Sequence, residues 1–538
     1  MAIFSPSESP AIVVKEVDLT GGVPNVQSTT GAFAGAFRWG PVEQAKLIDN
    51  EASLASTFGA PDDTHAVDFL TAASFLRYSN ALQTVRVVSS DALNSSSVDS
   101  AGLASLIKNQ NAFDQNTSLV TDAIYAKYPG AIGNSIKVAW TGSGNWSAWT
   151  ASYKSQFNGA PSGTERHVLV IDVNGIITGT AGTVLERFPY VNASSSAFNA
   201  DGSSNYVKDV VNRNSNYINL NGTLSSSDSA TLAFGANGTA PSAANYLTGL
   251  TAFEDKDTIQ VDFLIAPGKA LLADQDTIVE TLVTTAGTTR KDCVVITSPS
   301  RASVVGVADP VTATVTETDG YPFSSYLFID NNWLKVYDKY NDKYIYIPAA
   351  GSTAGIMAAS DTNSAPWFSP AGSRRGGYLG VASLAYTPTK SQRDVLYKAG
   401  VNPVANLPGQ GVLLFGDKTH LNRPTAFDRI NVRRLFNVIE RAIALAARNT
   451  LFELNDEFTR AEFVNIVEPF LREIKGRRGI TDFRVVCDES NNTGAVVDRN
   501  EFIANIFIKP ARSINYITLN FVAVRSGIDF EEVAGLSV

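Results

Sequence analysis

The sequence predicts a multidomain α/β (α+β) chain. A C-terminal α/β core domain carries extended N- and C-terminal strand arms, and a middle α/β domain holds a β-rich inserted outer domain. Three observations predict it. Apolar strand runs alternate with stretches of helical spacing on both sides of a long Ser-, Asn-, Gly- and Thr-rich middle. Both ends read as extended segments, with short side-to-side alternation and no helix beside them. Finally, 538 residues of which 44% are apolar can bury more surface than one domain requires.

In chain order, residues 1–20 form an N-terminal arm, because Ala11 to Val17 (AIVVKEV) is β-like and Gly21-Gly22 breaks it. Residues 21–91 begin the middle domain. Val67, Leu70, Ala73 and Leu76 recur at helical spacing within 66–78, and Thr84 to Val88 (TVRVV) is a strand. Turn formers crowd 92–250, with brief strands such as His167 to Val173, so this part reads as the inserted β-rich domain. Residues 251–345 restore a strand, helix, strand order: Ile259 to Ala266, Asp274 to Ala286, Cys293 to Thr297. Residues 346–513 form the inner core domain. Its first helix, 431–449, gathers Val432, Leu435, Phe436, Ile439, Ala442, Ile443 and Ala446 on one face. Its second opens on a Thr459-x-x-Glu462 capping box, contains Pro469 and ends at Gly476. Strands follow at 483–487, 501–509 and 514–524, the last opening the C-terminal strand and arm, 514–538.

Composition excludes several classes. No run approaches the ~20 apolar residues of a membrane span, and Met1 to Pro10 lacks the features of a secretion signal. The net charge of −9 argues against direct nucleic-acid binding. It is unevenly spread: residues 346–538 carry 22 basic and 19 acidic side chains, a net +3, against −12 for 1–345. Cys293 and Cys487 each sit in apolar runs and read as buried free thiols, which suits a reducing cytoplasm.

No chemistry is suggested. His65, His167 and His420 are the only histidines and none lies near a cysteine, so neither a metal site nor a histidine triad has material. Gly411 to Thr419 (GVLLFGDKT) imitates a phosphate loop, but Asp417 stands where the lysine belongs. The chain reads as no enzyme, with no cofactor.

Several segments together resemble the contractile-tail sheath proteins of large-tailed phages. They are Ala11–Val17 with GAFAGAFRWGPVE (31–43), DFLTAASFLRYSNALQTVRVV (68–88), AAGSTAGIMAASDTNSAPWFSPAG (349–372), and a closing block over 424–534. The resemblance implies a helical homopolymer around a tail tube. It would be assembled in the host cytoplasm in an extended high-energy state, contracting without nucleotide to drive the tube through the envelope for genome ejection. Partners are then the chain itself, the tail tube protein, and baseplate and tail terminator proteins, within the virion. A phage-derived bacteriocin or injection machine would use the same subunit. A secreted glycan-binding or glycan-cleaving protein and a soluble metabolic enzyme are the rival readings from other classes.

Two sets of site residues follow. The resemblance implies strand exchange between subunits, for which Ile12, Val13, Val14, Lys15 and Val17 at one end and Ile517, Leu519, Phe521 and Ala523 at the other have the alternation of an added strand. It also places the basic last domain at the inner wall. There Arg434, Arg441 and Arg448, seven residues apart, would form one basic stripe away from the apolar face. Arg472, Lys475, Arg477 and Arg478 would add a second tube-facing cluster.

Overall fold

The computed structural model describes residues 28–98, 105–224, 228–269 and 271–515. The strand-exchange residues at both ends therefore lie outside the described residues.

The centre is a six-stranded sheet built from β1 (Gly31–Ala36), β2 (Ala45–Ile48), β3 (Leu82–Val87), β4 (Phe263–Ile265), β5 (Val294–Thr297) and β6 (Leu327–Ile329). Its order is β6-β5-β4-β1-β3-β2, all parallel except the β2–β3 pair. Parallel strands are covered on both faces, which is why these runs are apolar throughout. Phe33, Phe263, Ile265, Val294, Ile296 and Phe328 point to one side, against α1 (Ala66–Leu76) and α3 (Ala350–Asn363). Ala32, Ala34, Leu264, Val295, Leu327 and Ile329 point to the other, against α2 (Leu272–Thr284) and the short helix Ala243–Leu250. The glycines of α3 are what let it lie on α1: a Cβ at Gly351 would stand 2.4 Å from the Thr71 carbonyl oxygen, and one at Gly355 2.5 Å from the Tyr78 ring.

Between β3 and β4 the chain makes a separate lobe. Strands Thr183–Asn192, Glu165–Asp172, Ile136–Gly142 and Asp228–Thr231 form an antiparallel sheet in that order. With the helix Val207–Asn214 it encloses its own core of Ile136, Val138, Val168, Val170, Val207 and Val211. The two connecting passages run side by side as a neck, with Leu93 bridged to Ala236 and Ser96 to Ala233. Arg86 staples the neck to the sheet. Its buried guanidinium donates to the carbonyls of Phe37, Arg38, Gly40 and, from the lobe, Pro129.

Two expected boundaries move. The helix Ala243–Leu250 belongs to the central sheet, not to the lobe, since Tyr246 and Leu250 pack into the sheet's core and the Tyr246 hydroxyl donates to Asp68 at 2.5 Å. Nor does packing break at 346. Helix α3 and Tyr378, Leu384, Val404 and Leu414 share one core with β1, β4 and β5. The separate terminal unit is α4 (Ile430–Ala447), α5 (Glu457–Gly476) and the antiparallel pair β7 (Ile480–Val486) and β8 (Asn505–Pro510). Within it, α5 starts three residues earlier than the capping box implied. Asp456 is the N-cap and accepts from the Thr459 N–H at 2.9 Å, so Thr459 lies inside the first turn.

Candidate assembly site

Helix α4 is amphipathic in two senses. One face buries Leu435, Ile439 and Ile443 against Phe463, Val467, Leu471 and Ile474 of α5. The arginines turn the other way, into the seam with the central sheet. Arg434, only 4% exposed, pairs with the equally buried Asp361 of α3 and lies 5.0 Å from the centroid of the Phe263 ring. Arg441 pairs with Asp262, donates to the carbonyls of Val261 (2.9 Å) and Asp292 (2.8 Å), and reaches the Asp292 carboxylate at 3.4 Å. Burial pushes the Asp361 carboxyl up to about 6 although Arg434 opposes it, and burial likewise raises Asp262 against the pull of Arg441.

This corrects the expected basic stripe. A repeat of seven residues places three side chains on one helical face, but not which neighbour that face meets. Arg434 and Arg441 hold the terminal unit onto the sheet, and only Arg448 reaches solvent, 2.8 Å from an equally open Asp257. The second cluster is on the surface. Arg472, Lys475 and Arg477 pair with Glu468 (3.7 Å), Asp482 (3.0 Å) and Glu473 (3.5 Å), while Arg478 follows in a left-handed turn, φ 67°.

The β7–β8 pair has, among the described residues, no strand on either outer edge. Its inner face, Phe483, Val485, Ile506 and Ile508, rests on α5 but is only half-buried; its outer face carries Asp482, Arg484, Phe507 and Lys509. Two strands alone are marginal, and open edges invite further strands.

Beyond β8 the chain is tied down at a residue the sequence offered only as a failed phosphate loop. Asp417, nearly buried, accepts from Ser513 (2.8 Å), Asn515 (3.3 Å), Ser369 (3.0 Å) and Tyr397 (3.1 Å). Asn515 also donates to the Tyr397 hydroxyl at 2.8 Å. Asp417 thus anchors the chain just beyond β8 through Ser513 and Asn515. The signal for this was absent from the local sequence, because Ser513 and Asn515 lie 96 and 98 residues on.

The histidines are packing residues: His167 stacks on Phe157 and His420 on Phe323, while His65 pairs with Asp62. Among the described residues no group of His, Cys, Asp and Glu could hold a metal ion, and no helix is long and apolar enough to cross a membrane. Both cysteines are buried and free, the Cys293 thiol pushed up to about 12 by burial.

Comparisons with known proteins agree on one family. Residues 239–420 match the phage tail sheath protein central domain and 422–523 the phage tail sheath C-terminal domain. The tail sheath protein of Enterobacteria phage T4 is 31% identical, with 98% of this chain and 99% of that one covered; that of Vibrio phage KVP40 is 30% identical over 98% and 99%. In fold, the chain is similar to the crystal structure of a sheath tail protein from Listeria innocua, with a TM-score of 0.59, 14% identity and 92% and 94% coverage. It is also similar to the helical sheath of the anti-feeding prophage in its contracted state, with a TM-score of 0.54, 11% identity and 96% and 99% coverage. With strands β4–β6 of the central sheet and the terminal unit each matched by a family model, and relatives matched from end to end, this chain belongs to the tail sheath proteins of contractile phage tails.

Proposed function

We propose that the chain polymerises helically around a tail tube in an extended, high-energy state and contracts to drive the tube through the host envelope for genome ejection. One observation carries the polymerisation: the β7–β8 pair, open at both edges among the described residues and half-covered on its apolar face, in a chain whose two ends both alternate as strands in sequence. Ile12, Val13, Val14, Lys15 and Val17 of one subunit and Ile517, Leu519, Phe521 and Ala523 of another would add to it. Arg448, Arg472, Lys475, Arg477 and Arg478, all exposed, are the candidates left to meet the tube. Baseplate and terminator proteins would cap the polymer, assembly taking place in the host cytoplasm before incorporation in the virion.

The test is deletion of residues 1–17. A folded monomer that no longer forms long polymers in the electron microscope is expected; long sheaths from the truncated chain would show that the arm is not the link. The relatives are phage proteins, so DNA-filled heads on the tails are expected rather than the headless particles of a bacteriocin.

A further inference from the structure

The turn joining α4 to α5 presents an apolar surface to solvent. Leu451, Phe452, Leu454 and Phe458 are all exposed, Phe452 completely and Phe458 to 84%, and Leu445 on the last turn of α4 is exposed as well. Clustered exposed apolar side chains of this size mark a contact surface. Phe452 is held there at φ 72°, a left-handed conformation that an aromatic residue rarely adopts, so the chain keeps a phenyl ring in water at a local conformational cost. Interleaved with these side chains are the exposed carboxylates of Glu453, Asp456 and Glu457, and residues 451–458, LFELNDEF, include no arginine or lysine.

The chain also carries a concave surface of matching shape and opposite charge. Where the terminal unit meets the central domain, a groove of about 1090 Å³ combines apolar wall from Phe368, Phe415 and Ile514 with seven arginine and lysine side chains against two aspartates, one of which, Asp417, is already engaged by Ser513 and Asn515. Arg374, Lys390, Arg478 and Arg512 are exposed and have no carboxylate within ion-pair distance among the described residues. Like charges gathered in a concave, partly apolar wall focus a positive field, which an anionic occupant offsets. The α4–α5 turn cannot enter the groove of its own chain. Asn431 at the start of α4 and Lys475 and Arg478 at the end of α5 line the groove, whereas the turn lies at the other end of both helices. The 20 residues of α5, at ~1.5 Å each, hold the two sites roughly 30 Å apart. We infer that the α4–α5 turn of one copy seats in this groove of a second copy, with Phe452 and Phe458 on the apolar wall and Glu453 and Glu457 on the exposed cations. Two different surfaces meet, so the contact repeats head to tail and builds a filament or ring rather than a closed pair. This rests on the reading of the chain as a polymer, and deepens it with a side-chain contact that needs no added strand.

A cysteine pair tests it, since both native cysteines are buried. In polymers of a chain carrying Lys390→Cys and Glu453→Cys, oxidation is expected to give a ladder of disulfide-linked dimers, trimers and longer species, while either single change gives no ladder. Linked species that stop at the dimer, a bond closed within one chain, or no bond in polymers that do form overturns the inference. A charge swap supplies the second measurement. Arg374→Glu with Lys390→Glu, and Glu453→Lys with Glu457→Lys, are each expected to lower polymer yield roughly ten-fold at low salt, and all four changes in one chain to restore it. Unchanged yield in either pair, or no recovery in the four-fold chain while all variants keep the wild-type circular dichroism, overturns it. Polymers that form normally from the reversed chains but no longer hold a tube would assign the groove to the tube and overturn it too. A wild-type chain that forms no polymer removes the polymer reading and this contact with it, whereas polymers without the ladder remove this contact alone.

Discussion

Arg434 and Asp361 show how one residue decides between a solvated face and a structural joint. Both are nearly inaccessible, so removing one partner leaves a charge buried without compensation. Arg434→Met is expected to destabilise the chain by roughly 3–5 kcal/mol, and the double change Arg434→Met with Asp361→Leu to recover most of it. Denaturant unfolding of the three variants checks this, and equal losses in single and double variants would refute the pairing. Asp330 is a second buried carboxyl, held by the Thr353 hydroxyl at 2.9 Å with neutral partners only, and burial raises it to about 7. A raised carboxyl keeps its proton in the folded state at pH values where the unfolded chain has released it. Its stabilising contribution is therefore complete below the ordinary carboxyl range and lost as pH rises through about 7. Relative to Asp330→Asn, which stays neutral, the wild-type chain should lose on the order of 4 kcal/mol between about pH 4 and about pH 8. Parallel stability curves for the two chains would contradict it.

At the scale of the element, the cap of α5 separates two readings of the same seven residues, Asp456 to Glu462. If Asp456 is the N-cap, Asp456→Ala leaves the Thr459 N–H without its acceptor and lowers the melting temperature, whereas Glu462→Ala leaves it unchanged. The reverse order would restore the capping box at Thr459. The sequence pattern could not choose, because Asp456 and Thr459 are both good caps and α5 has polar residues at both positions. It did locate both long helices and the β7–β8 strands within a few residues, since each element has an apolar face of the right period.

For the whole molecule, the neck at 93–96 and 233–236 predicts which deletion is tolerated. Joining residue 92 to residue 237 should remove the lobe and leave a folded, polymerising subunit, because the lobe has its own core and the sheet keeps Ala243–Leu250. Deleting 92–250, the boundary the composition suggested, strips Tyr246 and Leu250 from the sheet and should give insoluble or unfolded protein. Size-exclusion chromatography and electron microscopy of the two deletions distinguish the cases. Soluble, polymerising protein from both would mean the helix is dispensable.

The sequence by itself determined the class of the protein and its order of parts. Parallel strands buried on both faces must be apolar throughout, helices on a core must repeat near 3.6, and loops exposed to water are rich in Ser, Asn and Gly, so these leave periodic and compositional traces. What only the tertiary structure decided was where the charges go. Arg434 and Arg441 pair with carboxylates 73 and 179 residues away, and Asp417 holds Ser513 96 residues on; no local period records which face of a helix a distant carboxylate will meet. The joint between the terminal unit and the central sheet exists only once Asp262, Asp292 and Asp361 are folded against α4, because an ion pair depends on distance in space and burial rather than on spacing along the chain.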